Sequence, residues 1–121
     1  LGQGQSDALR LARAYLGAQG LVTLTLPDTP GGIGFRILAL VMNEAVAALA
    51  EGLASAEDID AAMKLGAGYP LGPLEWSERL GLENLLVGLA GLHAELGEER
   101  FRPHPLLRRL VAAGLVRWSE R

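Results

Sequence analysis

Apolar positions recur along this chain at helical spacing, and clusters of glycine and proline interrupt them. Leu9, Ala12 and Leu16 share one face of a helix predicted over 7–19. Ser6 is its cap, Asp7 suits its positive end and Gly20 stops it. Residues 1–5 carry no such pattern and are expected to be disordered. "LVTLTL" at 21–26 alternates apolar residues with Thr and predicts a strand, which "PDTPGG" ends. A long helix is predicted over 33–51. Its polar residues Arg36, Asn43, Glu44 and Glu51 recur every seven or eight positions and form one narrow stripe. A helix apolar on nearly every side is expected to be enclosed on nearly every side, by the rest of its domain or by a second subunit.

Ser55 and Asp58 read as a capping box for a short helix ending at 65, with Ile59, Ala62 and Met63 inward. Leu82, Leu85, Leu86, Leu89, Leu92 (or His93) and Leu96 predict another helix, stopped by Gly97. Gly88 and Gly91 in that helix leave room for a second backbone. A last helix is predicted over 105–113, with Gly114 as its stop. Between these elements "GYPLGPLEWSERLG" at 68–81 breaks good helix-forming sequence. Gly66 and Gly68 can take positive φ, Pro70 forbids continuation, and Pro73 suits the first turn of a new helix anchored by Leu74, Trp76 or Ser77, and Leu80. The segment reads as a rigid corner with its aromatic residues inward. It also reads as a loop lining a ligand pocket, because such loops let a ligand approach the backbone.

Composition narrows the picture. The chain has 121 residues, 50% of them hydrophobic, which suits a single domain with an aliphatic core. No cysteine is present, so disulfides and thiolate metal sites are excluded. A net charge of −3 disfavours nucleic acid as a partner. Six of the eleven basic residues nevertheless fall late: Arg100, Arg102, Arg108, Arg109, Arg117 and Arg121. The N-terminus has no signal-peptide core. The apolar run 37–50 is interrupted by Asn43 and Glu44 and reads as too short and polar for a membrane span, so a cytoplasmic domain is expected. A start on Leu1, directly ahead of structured sequence, is expected of a piece of something longer.

Candidate chemistry is sparse. The glycines after 21–26 imitate a dinucleotide fingerprint, but Gly32-x-Gly34 is followed by Ile37 where Gly or Ala belongs, and no second strand with an acidic end follows. They read as a hinge into the long helix. His93 reads as a partly buried residue and His104, between two prolines, as part of a surface turn. Neither has a carboxylate at dyad spacing, and no metal-ligand set exists. Arg102, Arg108 and Arg109 could hold phosphate groups or pair with Glu95, Glu98 and Glu99 on an exposed face. The ion-pair reading is the simpler.

"DTPGG", "NEA", "EGLASAEDIDAAMKLGAGYPLGPLEWSERLGL" and "FRPHPLLRRLVAAG" together resemble the helical C-terminal domain of the NAD-dependent 3-hydroxyacyl-CoA dehydrogenases. The likeness covers roughly residues 7–114 and most resembles the second copy of that domain found in members of the 3-hydroxyadipyl-CoA, phenylacetate-pathway type. It implies an all-α, multi-helix dimerisation-type domain of the 6-phosphogluconate dehydrogenase C-terminal kind over 31–121. Residues 1–30 would be a vestigial helix-strand and hinge. The complete enzyme oxidises an L-3-hydroxyacyl-CoA with NAD. Its nucleotide-binding domain and His–Glu pair have no counterpart here, so no catalytic, cofactor-binding or metal-binding residue is expected in this chain. The family asparagine one residue before the arginine of "PGFIVNR" is replaced by Phe35, and Arg36 keeps the arginine position with a structural role. The resemblance places Tyr69, Pro70, Leu71, Gly72 and Pro73 nearest the acyl chain. It implies as partners a second copy or the rest of its own dehydrogenase, with acyl-CoA as a possible ligand. The competing readings are a stand-alone helical interaction module and a free acyl-CoA binder.

Overall fold

Gly31 opens the longest helix of the protein. Its φ of 72° lies in the left-handed region, and a Cβ there would crowd Leu92 and Arg36, so glycine meets both demands. The computed structural model describes the backbone of residues 3–120 and the side chains of residues 6–119. Among the described residues six helices follow one another: α1 (Gln3–Ala18), α2 (Gly32–Ala50), α3 (Ala56–Ala67), α4 (Pro73–Leu80), α5 (Leu82–Leu96) and α6 (Pro105–Ala112). Two 3-10 turns, Glu99–Phe101 and Trp118–Glu120, flank α6. Ser55 caps α3 as predicted: its hydroxyl accepts from the Asp58 N–H at 3.1 Å and donates to the Asp58 carboxylate at 2.7 Å. Gly68 and Gly97 end α3 and α5 in left-handed conformation.

The core lies between α2, α4, α5, α6 and the two 3-10 turns. Val46 and Leu49 of α2 meet Leu85 and Leu89 of α5, with Phe101, Leu107 and Trp118 closing the cluster. The all-α class is therefore as the residue pattern indicates. Among the described residues there is no strand, however. Residues 21–26 form no regular element and pair with no other segment as a strand would, and Val22 is fully exposed. Alternation marks a segment able to pair, but a strand forms only where a neighbour meets its N–H and C=O groups. The expected disorder at 1–5 also changes: residues 3–5 lie within α1, while residues 1–2 are outside the described residues.

α2 departs most from expectation. Within this chain it is covered on one face only. Ala39, Met42, Ala45, Val46 and Leu49 are buried, while Ile33 and Ile37 are 50% and 55% exposed. Its polar stripe is divided: Glu44 and Glu51 are exposed, while Arg36 and Asn43 turn to the protein. The Arg36 guanidinium lies 5.6 Å from the Phe101 ring centre, and Asn43 binds the backbone around Arg102. At 19 residues α2 is longer than the run 37–50 and, by length and composition alone, apolar enough to cross a membrane. Its packing against α4, α5 and α6 makes it a helix of a protein core on that face.

Smaller corrections follow from packing. Ala62 is exposed and α3 has no fully buried residue, so α3 leans on the body through the half-buried Ile59 and Met63. Gly88 makes room for a side chain rather than a backbone: the Phe35 ring occupies the place its Cβ would take, whereas nothing approaches Gly91.

Candidate functional site

The corner between α3 and α4 holds all five loop residues singled out from the sequence. Gly72 and Pro73 are buried, Tyr69 and Leu71 half-buried, and Pro70 exposed. Pro73 occupies the first turn of α4, where its missing N–H costs nothing. Gly72 supplies no side-chain cap. The cap comes from α3: Asp60 Oδ1 accepts from the Leu74 N–H at 2.8 Å and Oδ2 from the Glu75 N–H at 2.9 Å. The expected inward aromatics are met in part, for Trp76 is half-buried and packs against the core cluster. Tyr69 and Trp76 meet edge to face at the half-buried surface, ring centres 6.0 Å apart, and the tryptophan of the core is Trp118.

Trp118 holds α4 from the other side. Its indole N–H donates to Ser77 Oγ at 2.8 Å and more weakly to the Leu74 carbonyl at 3.3 Å, and its backbone N–H donates to Glu78 at 2.7 Å. Ser77, the one buried polar side chain among the described residues, in turn donates to the Leu74 carbonyl at 2.6 Å. Between these two anchors lies an open cavity of about 620 Å³ lined by Asp60, Glu75, Glu78 and Trp118. Glu75 carries two cations, Arg79 at 2.8 Å and Lys64 at 3.4 Å. The Arg79 hydrogen bond holds its carboxyl below the usual value, against the opposing effect of burial, and Lys64 lowers it further.

A second, apolar groove of about 500 Å³ lies between α2 and the α3–α4 corner. Leu40, Val41, Ala45 and Ala48 form its floor, with Ile59, Met63 and Pro73 opposite and Glu44 and Arg100 at its rim. Phe35 lies elsewhere, half-buried against α5. A phenyl ring in that position offers neither donor nor acceptor.

The other polar candidates have structural partners. His104, expected on a surface turn, caps α6: its Nδ1 accepts from the Leu106 N–H at 3.1 Å. Its backbone N–H donates to Asn43 Oδ1 at 3.0 Å, and the Asn43 amide donates to the Arg102 carbonyl at 3.0 Å. Sequence spacing gave no sign of this clasp, because 59 and 61 residues separate its members. His93 does have a carboxylate neighbour, Glu99 at 3.6 Å, which sits on an exposed turn. The arginines do not converge: Arg102 pairs with Glu99 at 3.1 Å, Arg100 with Glu98 at 2.6 Å, and Arg108 turns to the Pro103 carbonyl at 3.4 Å. Among the described residues no group of three or more His, Asp or Glu side chains is placed to hold a metal ion.

The profile of the 3-hydroxyacyl-CoA dehydrogenase C-terminal domain matches residues 31–120. The chain belongs to that family. A 3-hydroxyadipyl-CoA dehydrogenase of Escherichia coli is 47% identical over 102 residues, 84% of this chain and 22% of the relative. A probable 3-hydroxybutyryl-CoA dehydrogenase of Deinococcus radiodurans is 39% identical over 114 residues, 94% of this chain and 41% of the relative. The crystal structure of (S)-3-hydroxybutyryl-CoA dehydrogenase from Ralstonia eutropha superimposes with a TM-score of 0.85 at 37% identity, over 92% of this chain and 39% of that one. This dehydrogenase domain thus spans between about a fifth and two fifths of the relatives it matches. The family match begins at Gly31, where the left-handed glycine starts α2.

Proposed function

We propose that this domain serves an NAD-dependent dehydrogenase that oxidises an L-3-hydroxyacyl-CoA to the 3-oxoacyl-CoA. Its own share is to pair subunits through α2 and to close one side of the acyl-CoA cleft with Tyr69, Pro70, Leu71, Gly72 and Pro73. NAD and the residues that move the hydroxyl proton belong to another part of that enzyme, and residues 1–30 form a hinge segment leading from it. The name of the E. coli relative supports a 3-hydroxyadipyl-CoA substrate, and the phenylacetate type and a cytoplasmic setting belong to the same proposal.

The single observation that carries this is the uncovered side of α2. Two half-exposed isoleucines continue into an apolar groove, a combination water tolerates poorly on an isolated surface. A second copy or the remainder of the enzyme covers it. Sedimentation of the chain is expected to give a dimer that Ile37→Glu splits into monomers. A wild-type chain that stays monomeric at high concentration counts against pairing. Titration calorimetry with NAD is expected to show no heat of binding, and micromolar affinity would move the cofactor site into this domain.

A further inference from the structure

The first amides of a helix have no partner within it, and a carboxylate is a strong acceptor for them. In α4 that acceptor comes from a different helix. Asp60 holds the Leu74 and Glu75 amides with one oxygen each, and the chain between Asp60 and Leu74 contains the whole of the loop. The pair of bonds therefore pins the loop's exit onto the helix that precedes its entrance. Gly72 is part of the same device. Its φ of −70° is open to any residue, so conformational freedom is not what glycine provides here. A Cβ at Gly72 would instead fall on the Cβ and carboxylate of Asp60. The side chain is short and held at both oxygens, so it has little freedom to yield. Lys64–Glu75 and Tyr69–Trp76 bridge the same corner at its exposed surface.

We infer that Asp60 is a positioning residue: its carboxylate, in the space Gly72 leaves, sets where Tyr69, Pro70 and Leu71 stand against the acyl chain. This rests on the reading of the loop given under Proposed function. Asp60 acts through α4, whose first amides both its oxygens accept from.

Two measurements separate the inference from that reading. In this chain, Asp60→Ala is expected to speed hydrogen exchange at the Leu74 and Glu75 amides by about tenfold or more, with α5 amides unchanged. Gly72→Ala is expected to do the same, because the methyl displaces the carboxylate. In an Asp60→Gly background, which removes the Cβ as well as the carboxylate, Gly72→Ala adds nothing further, the space being already empty. Asp60→Asn keeps one carbonyl oxygen, falls between, and carries the test should the alanine variant fail to fold. Unchanged exchange, or a further effect of Gly72→Ala in the Asp60→Gly background, overturns the assignment. In the assembled dehydrogenase Asp60→Ala is expected to raise KM for acyl-CoA about tenfold with kcat within about twofold, Asn being intermediate. Looser amides with an unchanged KM refute the positioning role together with the loop's place at the substrate, and leave Asp60 a cap alone.

Discussion

α1 and α5 begin from the same kind of pattern and end in opposite surroundings. Leu9 and Leu16 repeat along α1 as Leu82, Leu85, Leu89 and Leu92 repeat along α5, yet Leu9 is 44% exposed and Leu89 wholly buried. Every described side chain of α1 is exposed, whereas α5 lies against α2, α4, α6 and the Glu99–Phe101 turn. The connection from α1 to α2 contains Pro27 and Pro30 and adds no element that could fold back. A periodic stripe tells which side of a helix seeks cover. It says nothing of whether the same chain provides it.

The largest expected difference tests this contrast directly. Leu89→Ala removes a fully buried side chain and is expected to cost about 2–5 kcal/mol in urea unfolding. Leu11→Ala, on the exposed side of α1, is expected to change stability by no more than about 0.5 kcal/mol. Equal losses at the two positions would mean that α1 has cover after all.

An intermediate effect is expected where α2 meets α5. Gly88→Ala drives a methyl into the Phe35 ring, an overpacking cost of about 1–3 kcal/mol that a gain of about 1 kcal/mol in helix propensity partly offsets. In a Phe35→Ala background the same change is expected to be neutral or stabilising. A penalty that persists there would place its source elsewhere than the ring.

The smallest effect concerns acid. Glu75 is held ionised by Arg79 first and by Lys64 as well, so its folded carboxyl titrates below its unfolded one. Its contribution is fully present above the unfolded value, near pH 4.3, and is lost as pH falls through the lowered folded value. Glu75→Gln is expected to leave stability nearly unchanged at pH 7 and to flatten the acid limb slightly. An acid limb identical to wild type would show that these exposed pairs contribute nothing measurable.

The corner between α3 and α4 shows how far residues alone reach. The break, the proline at the start of α4 and the glycine stop are all readable from local chemistry, because each acts on its own backbone. The reason for Gly72 is not, because it lies in a carboxylate twelve positions earlier whose neighbour only the folded corner reveals. The same holds for Asn43 with His104 and for Trp118 with Ser77. Each is a bond between segments that local periodicity treats as unrelated.

Helix number, most boundaries and membership of the dehydrogenase family followed from the order of residues, since propensity, capping and motif spacing are properties of neighbours along the chain. Three other features were decided in three dimensions: which side of α2 is covered, that 21–26 stays unpaired, and what holds the loop in place. The physical reason is that burial and hydrogen bonding are satisfied by whatever lies nearby in space, and a pattern records the need without naming the partner.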